Sequence, residues 1–119
     1  MPEDKATILI VDDEKINIDL LTRVLSPHYQ LESRNNGVEA LERLKTTPHP
    51  DLILLDVTMP IMDGFETCMR LKADPNTSNI PAFFLTANRG TEILVKGFEC
   101  GAVDFLNKPF NPSELLTRV

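Results

Sequence analysis

A chain of 119 residues fits one ordinary domain, and 42% hydrophobic with 25% charged residues is the balance of a folded globular protein, not of a disordered or fibrous one. Eighteen Asp and Glu against twelve Lys and Arg leave a net charge of -6, which opposes attraction to nucleic acid or to an anionic membrane surface. No apolar stretch reaches the roughly 18 residues needed to span a bilayer, and the polar start Met1 to Lys5 is no secretory signal, so a soluble, cytoplasmic chain is expected.

Short apolar runs alternate with segments whose apolar residues recur every three or four positions, the pattern of βαβ units. The first predicted strand is Thr7 to Val11. Its helix carries Ile16, Ile18, Leu20, Leu21, Val24 and Leu25 and stops before Pro27. Tyr29 to Ser33 reads as a more polar strand suited to a sheet edge, and Gly37 opens a helix bearing Val38, Leu41 and Leu44. Asp51 to Asp56 contains the continuous apolar run of a central strand covered on both faces. A loop with Met59-Pro60 and Asp63-Gly64 follows. The next helix carries Phe65, Met69 and Leu71 and runs to about Ala73, before the loop Pro75 to Pro81. Ala82 to Leu85 is strand four, Thr91 to about Cys100 helix four, Asp104 to Asn107 strand five, and Pro112 onward helix five. No repeat or interdomain linker interrupts this order, so the elements predict one three-layered α/β domain with right-handed crossovers. Helix five has only about two turns before Val119, so the natural protein is expected to continue.

Four of the runs stop at or just before residues suited to a phosphate and a divalent cation: Asp12 and Asp13, Asp56, Thr86, and Lys108. The carboxyl ends of parallel strands line the crevice where open α/β sheets bind ligands. Adjacent carboxylates repel unless something positive shares their space, and magnesium accepts one or two carboxylates plus phosphate oxygens. Asp56 then reads as a nucleophile able to form an aspartyl phosphate, with the Thr86 hydroxyl and the Lys108 ammonium on the phosphoryl oxygens. Each residue also has a structural reading. Asp13 and Glu14 could cap helix one, Asp56 and Thr86 could be turn residues, and Lys108 a solvated charge.

Asp12-Asp13-Glu14, the stretch from Asp56 through Met59-Pro60 to Asp63-Gly64, Thr86-Ala87, and Gly101 to Phe110 with Lys108-Pro109 stand in this order along the chain. Together they resemble the receiver domains of two-component response regulators, over residues 1–119. The resemblance implies a flavodoxin-like (βα)5 doubly wound sheet of strand order 2-1-3-4-5. It implies that Asp56 accepts a phosphoryl group from the phosphohistidine of a sensor histidine kinase or histidine phosphotransfer protein. Magnesium, with manganese as an alternative, would be held by Asp13, Asp56 and the Thr58 carbonyl, with Asp12 acting through a bound water. Thr86 and Phe105 resemble the switch pair that alters the surface of helix four, strand five and helix five. A fused output domain and homodimerisation on phosphorylation are further implications, as is a self-directed phosphoacceptor that is not an enzyme on external substrates.

X-Pro bonds in folded proteins are only about 5 to 6% cis, whereas the resemblance implies a cis Lys108-Pro109 peptide that aims the lysine. Thr58 and Asn88 lie where receivers modulate water attack on the phosphoryl group, and neither is a charged general base, so dephosphorylation is expected to rely on positioning. An aspartyl-nucleophile phosphohydrolase is the rival reading, but that class wants a second acid where Thr58 stands. A nucleotide- or flavin-binding module lacks its Gly-rich loop after strand one. His28 and His49 fall in loops, and Met59, Met62 and Met69 read as packing residues. Cys68 and Cys100, without Cys-x-x-Cys spacing, read as free thiols inside helices.

Overall fold

The computed structural model describes residues 6–57, 59, 61–86 and 90–107. Along the chain run β1 (Thr7–Val11), α1 (Lys15–Leu25), β2 (Gln30–Arg34), α2 (Gly37–Arg43), β3 (Leu52–Asp56), α3 (Gly64–Ala73), β4 (Ala82–Thr86), α4 (Thr91–Glu99) and β5 (Asp104–Asn107). The strands pair in parallel in the order β2-β1-β3-β4-β5, so the expected 2-1-3-4-5 sheet is present. Helix five lies outside the described residues.

Alternation along the central strands divides the core into two layers. Leu9, Val11, Ile53, Leu55, Phe84 and Phe105 face α2, α3 and α4, whose Ala40, Phe65, Cys68, Leu71 and Leu94 close over them. Ile8, Ile10, Leu54 and Leu85 face the other way, toward Leu21 and Leu25 of α1. Burial on both faces explains why β3 and β4 are buried at every position and read as unbroken apolar runs, while β2 at the edge is only partly covered. Each fully buried Leu or Ile contributes about 1.5–3 kcal/mol of transfer free energy. Met69, expected among the apolar positions of α3, is 55% exposed.

Several boundaries differ from the sequence expectation by one residue, two of them for reasons visible in the backbone. Tyr29 is not in β2, because its N–H completes the last turn after α1 by donating to the Leu25 carbonyl, and pairing with the sheet begins at Gln30. Asp51 precedes β3 and clamps it to β1: its N–H donates to Thr7 O at 2.8 Å, and its Oδ2 accepts from Thr7 N–H at 2.8 Å. At the other ends, Thr86 is the last residue of β4, and Cys100 caps α4 instead of lying within it.

The edge is braced electrostatically. Arg43 of α2 grips both carboxylate oxygens of Glu32 on β2, and this ion pair holds the Glu32 carboxyl below the usual carboxylate range. Arg43 Nη2 also donates to Pro48 O at 3.1 Å, which fastens the loop leading into β3. The Thr47-Pro48 peptide is cis, while Lys108-Pro109 lies outside the described residues.

Candidate functional site

The site begins with register. Val11 pairs with Leu55, so the next residues along, Asp12 and Asp56, leave two adjacent central strands side by side at their carboxyl ends. Asp12 continues the sheet through its N–H, which donates to Arg34 O at 3.1 Å. Asp56 pairs with Leu85, which sets Thr86 one residue farther along the neighbouring strand. Asp12 and Asp56 are buried, with 0% and 4% exposure, and Thr86 is buried as well, whereas Asp13 is exposed.

The consequence is a cluster in which Asp12, Asp13 and Asp56 each offer a carboxylate oxygen, all within 4.8 Å of one another. Three carboxylates this close repel strongly where two are desolvated, and a hard divalent cation with oxygen preference compensates them best. The donor set, all oxygen and without sulfur or imidazole, fits magnesium or manganese better than zinc or copper. Asp13 also borders an open hollow with Lys15, Asp19, Ser33 and Asn36, which leaves the cluster reachable from outside.

The capping alternative for Asp13 and Glu14 is not what the structure shows. Glu14 is the N-cap of α1 without a side-chain capping bond, and its N–H donates instead to Asp12 Oδ1 at 2.9 Å. Asp12 therefore shapes the turn. Elsewhere the chain caps conventionally: Asn36 accepts from Glu39 N–H and Asp63 from Glu66 N–H, both at 2.9 Å.

The loop after Asp56 is drawn back against β3. Gly64 N–H donates to Val57 O at 2.8 Å, and a Cβ at position 64 would lie 2.2 Å from the Asp56 carbonyl oxygen. In the sequence, Asp63-Gly64 is a turn signal and the end of the receiver-like stretch that starts at Asp56, with no packing role assigned to the glycine. Its position a fixed step beyond the strand-ending aspartate was the available clue that the glycine supports the site. Ile61 in the same loop has φ +72°, a left-handed conformation that β-branched residues rarely adopt.

Phe105 is buried at 1% exposure on the same sheet face as Phe84, with which it pairs in register, and the two ring centroids are 5.6 Å apart. Thr86 follows two residues after Phe84, so alternation sets it on that face too. Thr58, Asn88, Lys108 and Pro109 lie outside the described residues. His28 and His49 stay away from the cluster: His28 N–H closes the turn after α1, and His49 Nε2 lies 3.0 Å from the Leu44 carbonyl. Cys68 and Cys100 are free and buried, with the Cys68 thiol donating to Cys100 O at 3.2 Å.

Comparison with known proteins agrees with this geometry. Residues 8–119 match the family described as response regulator receiver domain. The response regulator PleD of Caulobacter vibrioides is 43% identical over 115 residues, which cover 96% of this chain and 25% of PleD. Among solved structures, the chemotaxis protein CheY4 of Vibrio cholerae superposes with a TM-score of 0.90 at 32% identity, covering 96% of this chain and 95% of that one. The receiver domain of the sensor histidine kinase PA1611 of Pseudomonas aeruginosa, solved with a magnesium ion in its active site cleft, gives 0.87 at 28% identity, covering 96% and 93%. The chain spans about a quarter of PleD's length.

Proposed function

Because this chain belongs to the response regulator receiver domain family, we propose that it is a phosphorylation-controlled switch that accepts a phosphoryl group on Asp56 from the phosphohistidine of a histidine kinase or phosphotransfer protein. The observation that carries the reading is the convergence of Asp12, Asp13 and Asp56 within 4.8 Å at the ends of adjacent central strands.

An Asp56 carboxylate oxygen forms the new O–P bond while the P–N bond to the donor imidazole breaks, its electron pair returning to the ring nitrogen. Asp56 is held for this attack by β3 pairing on one side with β1 and on the other with β4. Asp13 and Asp56, with the Thr58 carbonyl, would hold magnesium and Asp12 would act through a bound water; the ion when bound would neutralise charge on the phosphoryl oxygens. Thr86 donates its hydroxyl to one phosphoryl oxygen, and Lys108 sits on another as a point charge aimed by a cis Pro109. With Thr86 drawn toward the phosphoryl group, Phe105 fills the space behind it, and the surface built on α4 and β5 is the output. That surface serves a fused output domain or a second copy of the chain, in the cytoplasm.

The test is intact-mass measurement after incubation with magnesium and acetyl phosphate. One added phosphoryl group, abolished by Asp56→Asn and by chelation of the metal, supports the switch. Steady release of phosphate from unrelated phosphoesters without a stable adduct would favour the phosphohydrolase reading instead.

A further inference from the structure

We propose that Gly97 is the seat of the switch aromatic: its missing side chain is what lets the Phe105 ring occupy the buried position beneath α4. The proposal rests on the reading of Phe105 as the switch residue. Gly97 stands inside a nine-residue helix, where glycine is disfavoured relative to alanine, so a packing reason for it is expected. It is the one buried residue of α4. A Cβ there would lie 2.3 Å from Phe105 Cζ, 3.1 Å from Phe105 Cε1 and 3.0 Å from Phe84 Cδ2. The Phe105 ring is wedged between Phe84 and Phe98, whose centroids are 5.6 and 5.2 Å away.

The helix has little freedom to retreat from such a clash. The Gly97 carbonyl accepts from Cys100 N–H and from Ala102 N–H, both at 3.1 Å, and these bonds tie α4 to the segment leading into β5. On its other side, Lys96 Nζ lies 4.7 Å over the Phe65 ring. A side chain at position 97 and a buried ring at position 105 therefore exclude one another. With alanine at 97, the ring is driven outward and the α4–β5 surface no longer follows the state of Asp56.

The test is a thermal double-mutant cycle joined to proton NMR. Gly97→Ala lowers Tm by ~4 °C or more in the wild-type background, although helix propensity alone would raise it. In the Phe105→Leu background, which lacks the ring's Cε and Cζ atoms, the same substitution leaves Tm unchanged or raises it. The Overhauser contacts between the Phe98 and Phe105 rings disappear in Gly97→Ala, while phosphoryl uptake at Asp56 persists. If Gly97→Ala fails to fold, folding of the double variant carries the same conclusion. An equal Tm shift in both backgrounds, unchanged ring contacts, or failure of the double variant to fold would overturn the proposal. Failure of the wild-type chain to take up phosphate would sink the phosphoacceptor reading and leave the cycle standing as a test of the seat.

Discussion

Gly64 packs directly on the main chain of Asp56: a Cβ at position 64 would stand 2.2 Å from the Asp56 carbonyl oxygen and 2.9 Å from Val57 Cα. Both obstacles are backbone atoms, one in the last residue of β3 and one in the residue just after it, and backbone cannot rotate aside as a side chain can. Gly64→Ala is therefore expected to cost about 2 kcal/mol or more, and to slow phosphoryl uptake by shifting Asp56. Urea unfolding and the initial rate of acetyl phosphate labelling measure the two effects. An alanine variant as stable and as fast as the wild type would show that the loop yields freely.

The carboxylate cluster predicts opposite signs for one substitution. Asp13→Asn relieves repulsion among three carboxylates within 4.8 Å, so the metal-free protein is expected to gain up to about 1 kcal/mol. If Asp13 is the ligand proposed, the same change weakens magnesium binding by roughly tenfold or more, which at saturating metal removes about 1.4 kcal/mol of linked stabilisation. Melting curves with magnesium and with chelator separate the two. A variant that loses stability in chelator would contradict a repulsive apo cluster.

Ile61 stores backbone strain beside the site, with φ +72° and a side chain 81% exposed that gains little from packing. Asparagine tolerates the left-handed region, so Ile61→Asn is expected to stabilise the fold by about 1 kcal/mol without changing the urea m-value. No gain in the urea midpoint would mean that Ile61 is held by contacts that offset the strain.

These three cases mark the boundary of what the sequence discloses. The sheet was legible because apolar runs such as Leu52 to Leu55 are the direct imprint of burial on both faces. The carboxylate cluster was legible because parallel strands bring Asp12 and Asp56 to one edge whatever the details of packing. The close approaches of Gly64 and Gly97, the left-handed Ile61 and the Glu32–Arg43 brace were not, because each rests on a particular interatomic approach or backbone angle that apolar periodicity does not encode. The capping alternative for Asp13-Glu14 is one that the structure does not bear out. A local capping pattern was available, yet Asp12 took the Glu14 N–H.

Burial pushes the Cys68 thiol up from 9.0 to about 11, only partly opposed by Lys72, and Cys100 is raised for the same reason. In the unfolded chain the thiol ionises first, so the unfolded state binds fewer protons than the native state above pH 9. For Cys68 the stabilisation is complete below about pH 9 and is lost as pH rises toward 11, at no more than about 1.4 kcal/mol per pH unit. Cys68→Ala is expected to be less stable than wild type at pH 8, with the gap narrowing by pH 10. A gap that is constant or widens in urea titrations across this range would contradict a native thiol held neutral.

The central claim is that Asp56 is the residue that receives the phosphoryl group. Borohydride reduces an aspartyl phosphate to homoserine, so peptide sequencing by mass spectrometry after labelling with magnesium and acetyl phosphate reads the acceptor directly. Homoserine at position 56, absent when magnesium is chelated, is the result expected. Homoserine at Asp12 or Asp13, or a borohydride-resistant phosphoryl group on His28 or His49, would contradict it.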